Sequence, residues 1–324
     1  MRTYEFTSRL APTIEAYLEN RRKEGYNIKN HLSYLYEFDC MCRDDFDSPL
    51  VTEEMINAWD HKKPHLTNRT KIARHNIIRD FAIFARRSSD DSFVPDTCRL
   101  RIGATPYSPY IFTREEIFQM VDAADNLPIR NNHPVRHLVI PAIMRVLCFC
   151  GLRINEALSL KETDVDVDAG IITIQSGKGG KFRYVPMHSS LTEYMKQYIA
   201  AIPERHRNGW LFPSSREGHF SDGAFYSNFR ELLFQCGIPH TGHGPRVHDF
   251  RHTFAVHSLE YQLGKGYDPM AIIPRLAAYL GHKTYRETCW YLHLTVAAFP
   301  ELSDQLDAVL GRIIPEGGAD YEEN

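Results

Sequence analysis

The sequence has no long apolar run and no paired cysteine motif. It contains no uninterrupted apolar stretch of about 18 residues, which a membrane-spanning helix would need. The opening residues MRTYEFTSRL lack the apolar core of a secretory signal. The seven cysteines are odd in number and include no CxxC pair, which argues against a disulfide framework or a zinc ribbon. We therefore expect a cytoplasmic protein with reduced thiols and no membrane partner.

An overall positive charge is also missing, although the charge is distributed unevenly. The net charge is -3, but residues 301–324 carry seven acids against one arginine. Residues 61–87 carry eight lysines and arginines against one acid. Electrostatic binding of DNA depends on such local patches, although a charge run is also typical of a solvated helix face. The candidate phosphate contacts are Lys62, Lys63, Arg69, Lys71, Arg74, Arg79 and Arg86.

Length and periodicity predict a helical N-terminal domain. A chain of 324 residues is longer than one hydrophobic core usually supports, so two domains are expected. In the fourth predicted helix, Ile77, Phe81 and Phe84 form an apolar stripe, and Lys71, Arg79 and Arg86 lie broadly opposite. We predict an N-terminal domain over residues 1–90 with helices at 11–24, 28–42, 52–60 and 68–87.

Proline and serine are scattered between the two domains without a helical period, so residues 91–112 are the predicted linker. Thr113 and Glu116 have the spacing of a capping box, which predicts that a helix begins there. A second domain is expected over residues 113–312, followed by an acidic tail at 313–324.

The second domain has mostly helical patterns and one pair of strands. An apolar helix over residues 138–150 ends at Gly151. Two β-branched and aromatic segments, 171–174 and 182–185, flank SGKGGK and predict a hairpin. The fold class is therefore mainly α with a small β-sheet. Further helices are predicted at 190–201, 222–236, 248–263, 268–280, 284–292 and 299–312.

Five short motifs follow one another in this domain. The motifs are CGLRINEALSL (150–160), SGKGGKFRYVP (176–186), HDFRHTFA (248–255), YLGH (279–282) and WYLH (290–293). Together they resemble the catalytic domain of the tyrosine recombinase, or phage integrase, family, and the resemblance covers residues 113–295. The resemblance implies a helical, SAM-like core-binding domain before a mixed α/β catalytic domain.

The same resemblance implies an active site at six positions. Tyr291 would be the nucleophile, because a phenolic oxygen can form a covalent phosphodiester intermediate and leave again. Arg153 and Arg251 would hold the phosphate, because planar guanidinium groups match its oxygens and stay ionised. The six catalytic candidates are Arg153, Lys178, His248, Arg251, His282 and Tyr291.

The remaining roles are more open. Lys178 would protonate the departing 5' oxygen, and Lys181 is a competing candidate. His248 would accept the proton of Tyr291, while His282 would contact a phosphate oxygen or satisfy carbonyl groups at a helix end. Glu156 is interpreted as a structural partner of Arg153.

The family implies a site-specific recombinase acting on double-stranded DNA. Four protomers would exchange strands through 3'-phosphotyrosine links and a Holliday junction, with neither ATP nor a metal cofactor, and other recombinases or DNA-bending proteins could assist. Integration, transposition, inversion and resolution all use this chemistry, and a bacterial or mobile-element origin is expected. The predicted helix at 299–312 would dock on a neighbouring protomer or pack within its own chain.

Four other interpretations were weighed. One is a DNA-binding accessory protein of the same fold that no longer cleaves, and another is relaxation of supercoils in the manner of the type IB topoisomerases. The triplet Asp164, Asp166 and Asp168 imitates the start of a calcium loop without completing it. A metal-dependent nuclease would instead use a histidine cluster formed by His240, His243, His248, His252 and His257.

Two segments depart from the family pattern. The stretch between His257 and Leu280 is longer than usual and contains Pro274, and the residues around Tyr291 read TCWYLHL. His293 therefore has no assigned role.

Overall fold

The computed structural model describes residues 4–26, 28–101, 108–175, 182–214, 218–241 and 244–299. The chain divides into two compact units, Met1–Thr105 and Pro106–Asn324. Within the described residues, none of the helices is long and apolar enough to cross a membrane.

The first unit is built from helices, as the apolar periodicity predicts. The helices pack around Phe38, Trp59 and Phe81, whose side chains are buried. Their positions confirm the four predicted segments to within a few residues. They are α1 (Ala11–Lys23), α2 (Lys29–Asp45), α3 (Glu53–His61) and α4 (Asn68–Arg86).

The buried face of α4 differs from the predicted apolar stripe at two of its three positions, where the next residue along the chain is the buried one. Phe81 is fully buried as expected, but Ile77 and Phe84 are only partly buried. Ile78 and Ala85 complete the buried face at helical spacing from Phe81. A periodic pattern identifies a broad face of a helix, and the neighbouring helices decide its centre.

Arg74 lies on that buried face and has partners within the unit, which disfavours its predicted role as a phosphate contact. The residue is 4% exposed, and its guanidinium lies 3.7 Å from the ring centroid of Trp59. Its Nη1 donates to Glu37 Oε2 at 2.7 Å. Burial is tolerated because the charge has both an anionic partner and an aromatic face.

The other basic candidates of this unit differ in their availability. Lys63 pairs with Glu37 at 2.8 Å, while Arg79 and Arg86 donate to the backbone carbonyls of Pro95 and Ser92. Lys62 and Arg69 are exposed, and Lys71 is half-buried. The charge run therefore divides into side chains engaged within the unit and side chains near the start of α4 that face solvent.

The second unit is mainly helical with one small sheet, which confirms the predicted fold class. Thr113 and Glu116 form the predicted capping box. Helix α11 continues through Pro274, and α12 extends past the predicted end at residue 292. The helices are α5 (Arg114–Asp125), α6 (Arg136–Cys150), α7 (Ile154–Leu158), α8 (Ser189–Ala201), α9 (Asp222–Gln235), α10 (Asp249–Gly264), α11 (Pro269–Leu280) and α12 (Tyr285–Ala298).

The sheet contains the predicted hairpin and one further short strand. Strands β1 (Val165–Asp166), β2 (Ile171–Gln175) and β3 (Phe182–Pro186) are antiparallel in the order β1-β2-β3. Ile172 pairs with Val185, and both side chains are buried against the helical core. The hairpin turn with Lys178 and Lys181 lies outside the described residues, as do positions 300–312 of the predicted helix at 299–312.

Gly151 ends α6 at the centre of this unit. Its φ is +60°, in the left-handed region where a side chain is strained. A Cβ atom there would lie 2.5 Å from Cδ1 of Phe254, whose ring stacks on Tyr279. The connection from α6 to α7 thus depends on glycine for two separate reasons.

We expect Gly151→Ala to lower the free energy of unfolding by roughly 2 to 5 kcal/mol, because it adds a positive-φ penalty and a steric overlap. Gly209→Ala is the matched control, since Gly209 has φ +84° and open space around it. The control should lose only about 1 kcal/mol. Urea unfolding measures both, and equal losses would contradict the role assigned to the Phe254 contact.

Candidate active site

Arg251 is the most deeply buried charge of the site. It lies in the first turn of α10, and the residue is 1% exposed. Nη1 donates to the carbonyl of Gly151 at 2.9 Å, and Nη2 donates to the carbonyl of Leu280 at 2.6 Å. Burial, with Arg153 nearby, lowers its pKa to about 10, so the guanidinium stays protonated at neutral pH. Arg251 therefore connects the C-terminal ends of α6 and α11.

Glu156 joins three arginines at the start of α7. It accepts from Arg153 Nη1 at 3.0 Å and from Arg183 Nη2 at 2.7 Å, and its Oε2 lies 4.0 Å from Arg251 Nη1. Burial acts to raise the pKa of Glu156, but the hydrogen bond and charge of Arg183 outweigh it and lower the pKa to about 2. The interpretation of Glu156 as a structural partner of Arg153 is confirmed.

Arg183 is a site component that sequence reasoning missed. It projects inward from β3 between the exposed aromatic residues Phe182 and Tyr184. Besides its contacts with Glu156, its Nε donates to the carbonyl of Tyr279 at 2.9 Å. The side chain thus links the hairpin to the end of α11. The alternation of side chains along a strand indicates that Arg183 points inward. The sequence alone does not identify the residue that it contacts.

His248 and His282 lie near these arginines. His248 is half-buried before α10, and burial followed by the charge of Arg251 lowers its pKa to about 4. His282 follows the left-handed Gly281 at the end of α11, and its Nδ1 lies 2.8 Å from Thr288 Oγ1. Burial and the charge of Arg251 lower its pKa to about 3. Both imidazole rings are therefore neutral at physiological pH.

The side chain of Tyr291 lies inside the unit. The residue is 3% exposed, and its ring is nearly parallel to that of His282 with centroids 6.0 Å apart. Its hydroxyl lies 3.1 Å from Nδ1 of His252. His252 had been considered only as a member of the histidine cluster. The proposed proton acceptor His248 stays a prediction, although its ring centroid is 4.7 Å from that of His252.

The structure thus brings together five of the six catalytic candidates. Arg153, Arg251, His248, His282 and Tyr291 lie close enough to affect one another's protonation. Lys178 lies outside the described residues. Among the residues that the structure covers, no three histidine, cysteine, aspartate or glutamate side chains come together as a metal site. His243 of the histidine cluster is outside that set.

Comparison with known proteins places this domain in a family. The model of the phage integrase family matches residues 111–297. Tyrosine recombinase XerA of Thermococcus kodakarensis is 31% identical over 285 residues, covering 87% of this chain and 90% of the relative. A Sinorhizobium fredii protein with the provisional name integrase/recombinase y4rB is 30% identical over 286 residues, covering 86% and 91%.

Two solved structures share the fold. XerH recombinase in a post-cleavage complex with palindromic difH substrate aligns with a TM-score of 0.61 and 19% identity, covering 86% of this chain and 80% of that chain. A lambda integrase dimer bound to a COC' core site aligns with a TM-score of 0.56 and 17% identity, covering 87% and 76%.

The mainly helical unit with its arginine, histidine and tyrosine cluster has the architecture of a tyrosine recombinase catalytic domain. The chain belongs to the phage integrase family of tyrosine recombinases.

The low pKa of Glu156 predicts a pH-dependent contribution to stability. The pKa of Glu156 in the folded protein, about 2, lies below its ordinary value of 4.5. The ionised carboxylate therefore contributes its full stabilisation above pH 4.5, and this stabilisation is lost as the pH falls through the pKa of the folded state. Glu156→Gln should cost roughly 3 kcal/mol at pH 7, and the difference from wild type should fall to about half of that at pH 3.

Urea unfolding at several pH values measures this difference. The exposed Glu204 provides a matched control, and Glu204→Gln should stay near wild type throughout. A cost for Glu156→Gln that is equal at pH 7 and pH 3 would show that lost packing, rather than lost charge, explains the effect.

Proposed function

We propose that this protein is a site-specific DNA recombinase that cleaves and rejoins DNA through a covalent link to Tyr291. The observation that carries the proposal is the convergence of Tyr291 with Arg153, Arg251 and His282 in a phage integrase domain. A phenol can attack phosphorus, and two guanidinium groups can stabilise the negative charge that builds on the phosphate oxygens.

In the proposed cleavage step, Tyr291 Oη forms a bond to the phosphorus while the bond from phosphorus to the 5' oxygen breaks. The phenolic proton passes to His248, and Lys178 donates a proton to the departing 5' oxygen. Reversal of the step with a 5' hydroxyl from another strand rejoins DNA. The phosphodiester energy is conserved in the protein link, so the step consumes neither ATP nor a metal cofactor.

A phosphate bound at the arginine cluster would also change the pKa of His248. The charges of Arg251 and Arg153 add to burial in lowering the pKa of His248. A bound phosphate would offset these charges and raise that pKa. His248 then becomes a better proton acceptor when substrate is in place. Because Tyr291 is 3% exposed, its side chain must also become accessible before attack.

The DNA-bound relatives support duplex DNA as the partner. XerH was solved bound to palindromic difH substrate, and lambda integrase was solved bound to a COC' core site. We assign DNA binding to the N-terminal domain over residues 1–90, with 91–112 as linker and 113–312 as catalytic domain. Exposed Lys62 and Arg69, with half-buried Lys71, supply the proposed phosphate contacts. On the family resemblance, the proposal includes assembly of four protomers and a Holliday junction intermediate.

Replacing the nucleophile tests the proposed function. Wild type incubated in EDTA with a nicked suicide substrate, made from the ends of the locus that encodes the protein, should form an SDS-resistant protein–DNA adduct. Tyr291→Phe should form none, because the attacking oxygen is gone. Tyr285→Phe is the matched control on the same helix, since Tyr285 is 64% exposed, and it should react like wild type.

Specific DNA binding without an adduct would instead support the accessory-protein interpretation. Cleavage that requires added metal would support a metal-dependent nuclease that uses the histidine cluster.

A salt titration tests the revised DNA surface. Because each phosphate contact contributes about 0.9 to the slope of log affinity against log salt, Lys62→Gln/Arg69→Gln should reduce the magnitude of that slope by about 2. Arg22→Gln/Lys23→Gln removes the same charge from the exposed end of α1 and should leave the slope unchanged. Equal reductions in both variants would point to a general charge effect.

A further inference from the structure

We propose that His252 is a positioning residue that holds the hydroxyl of Tyr291 through Nδ1. The inference rests on the proposed function and adds a residue to it. His252 follows Arg251 directly in α10, so one helix turn carries both a phosphate-stabilising arginine and a contact to the nucleophile. The assignment rests on geometry, burial and an unsatisfied ring nitrogen.

The contact joins two buried side chains. Nδ1 of His252 lies 3.1 Å from Tyr291 Oη, and the two residues are 2% and 3% exposed. Trp290 lies beside the imidazole at a centroid distance of 5.3 Å and an interplanar angle of 75°. His282 stacks on the phenol ring at an angle of 11°. The phenol is thus held at its hydroxyl by His252 and at its face by His282.

The second nitrogen of His252 shows that this imidazole is not simply a packing group. Nε2 is buried and has no hydrogen-bond partner among the described residues. A buried polar atom without a partner is unfavourable, and a leucine would fill the space without that cost. The polar contact that the imidazole makes here is the one to the nucleophile.

The ring acts as a hydrogen-bond partner and not as the final proton acceptor. Besides Tyr291, the titratable and charged groups that act on it are His248, Arg251 and His282, and burial together with these groups lowers its pKa to about 3. In the neutral tautomer protonated at Nε2, the hydroxyl of Tyr291 donates a hydrogen bond to Nδ1 of His252. His252 thus orients the hydroxyl before attack, while His248, which is less buried, keeps the proposed role of taking up the proton during attack.

Two substitutions at one position separate positioning from proton transfer. Asparagine can place a hydrogen-bonding atom near the position of Nδ1 but cannot accept a proton near neutral pH. Leucine fills the space without any hydrogen bond. His252→Asn should therefore form the covalent adduct within about fivefold of the wild-type rate, while His252→Leu should be slower by at least about tenfold. Specific DNA affinity should be unchanged in both.

A double-mutant cycle on stability provides a readout that does not need activity. Urea unfolding of His252→Leu, Tyr291→Phe and the double variant should show a non-additive effect, because the two residues share one hydrogen bond. Additive effects would overturn the contact. The cycle also identifies a His252→Leu protein that has lost activity through unfolding.

Each result with DNA has a distinct meaning. Wild type that forms no adduct would overturn the proposed function and the role of His252 with it. With an active wild type, equal losses in His252→Asn and His252→Leu would overturn positioning in favour of proton transfer. Full activity in His252→Leu would show that the contact does not contribute to cleavage.

Discussion

The site depends on the burial of the Arg251 guanidinium between two helix ends. Removing a charge from water is costly unless polar groups replace its hydration. The carbonyls of Gly151 and Leu280 do so at the C-terminal ends of α6 and α11, where the helix dipole also favours a cation. Arg153 lies two residues after one of these carbonyls, and His282 lies two residues after the other. One buried cation therefore fixes the positions of both.

Glu156 balances only part of the surrounding positive charge. It contacts Arg153 and Arg183 and lies near Arg251, so one carboxylate serves three guanidinium groups. The excess charge suits a phosphate and also contributes to the low pKa of His248. In the proposed mechanism, phosphate binding and the activation of His248 would therefore have one electrostatic origin. Arg183 extends the same network to the strand that leads from the hairpin turn.

Tyr291 is enclosed by groups that restrict it. His252 contacts its hydroxyl, and His282 stacks on its ring. This arrangement shields the Tyr291 side chain from solvent. In the proposed mechanism, a contact that orients the hydroxyl would favour attack on a phosphate held by the arginines.

The sequence by itself determined the four N-terminal helices, most helices of the second unit, the pair of hairpin strands and the ordered motifs that contain Arg153, Arg251, His282 and Tyr291, because periodicity, capping signals and motif spacing are local properties of the chain. Only the tertiary structure decided that Arg74 is buried against Trp59, that Arg183 joins Glu156, and that His252 meets Tyr291. These contacts link residues far apart along the chain. A charged or aromatic residue carries no local sign of its partner, since packing of distant helices and strands determines which side chains share a buried space.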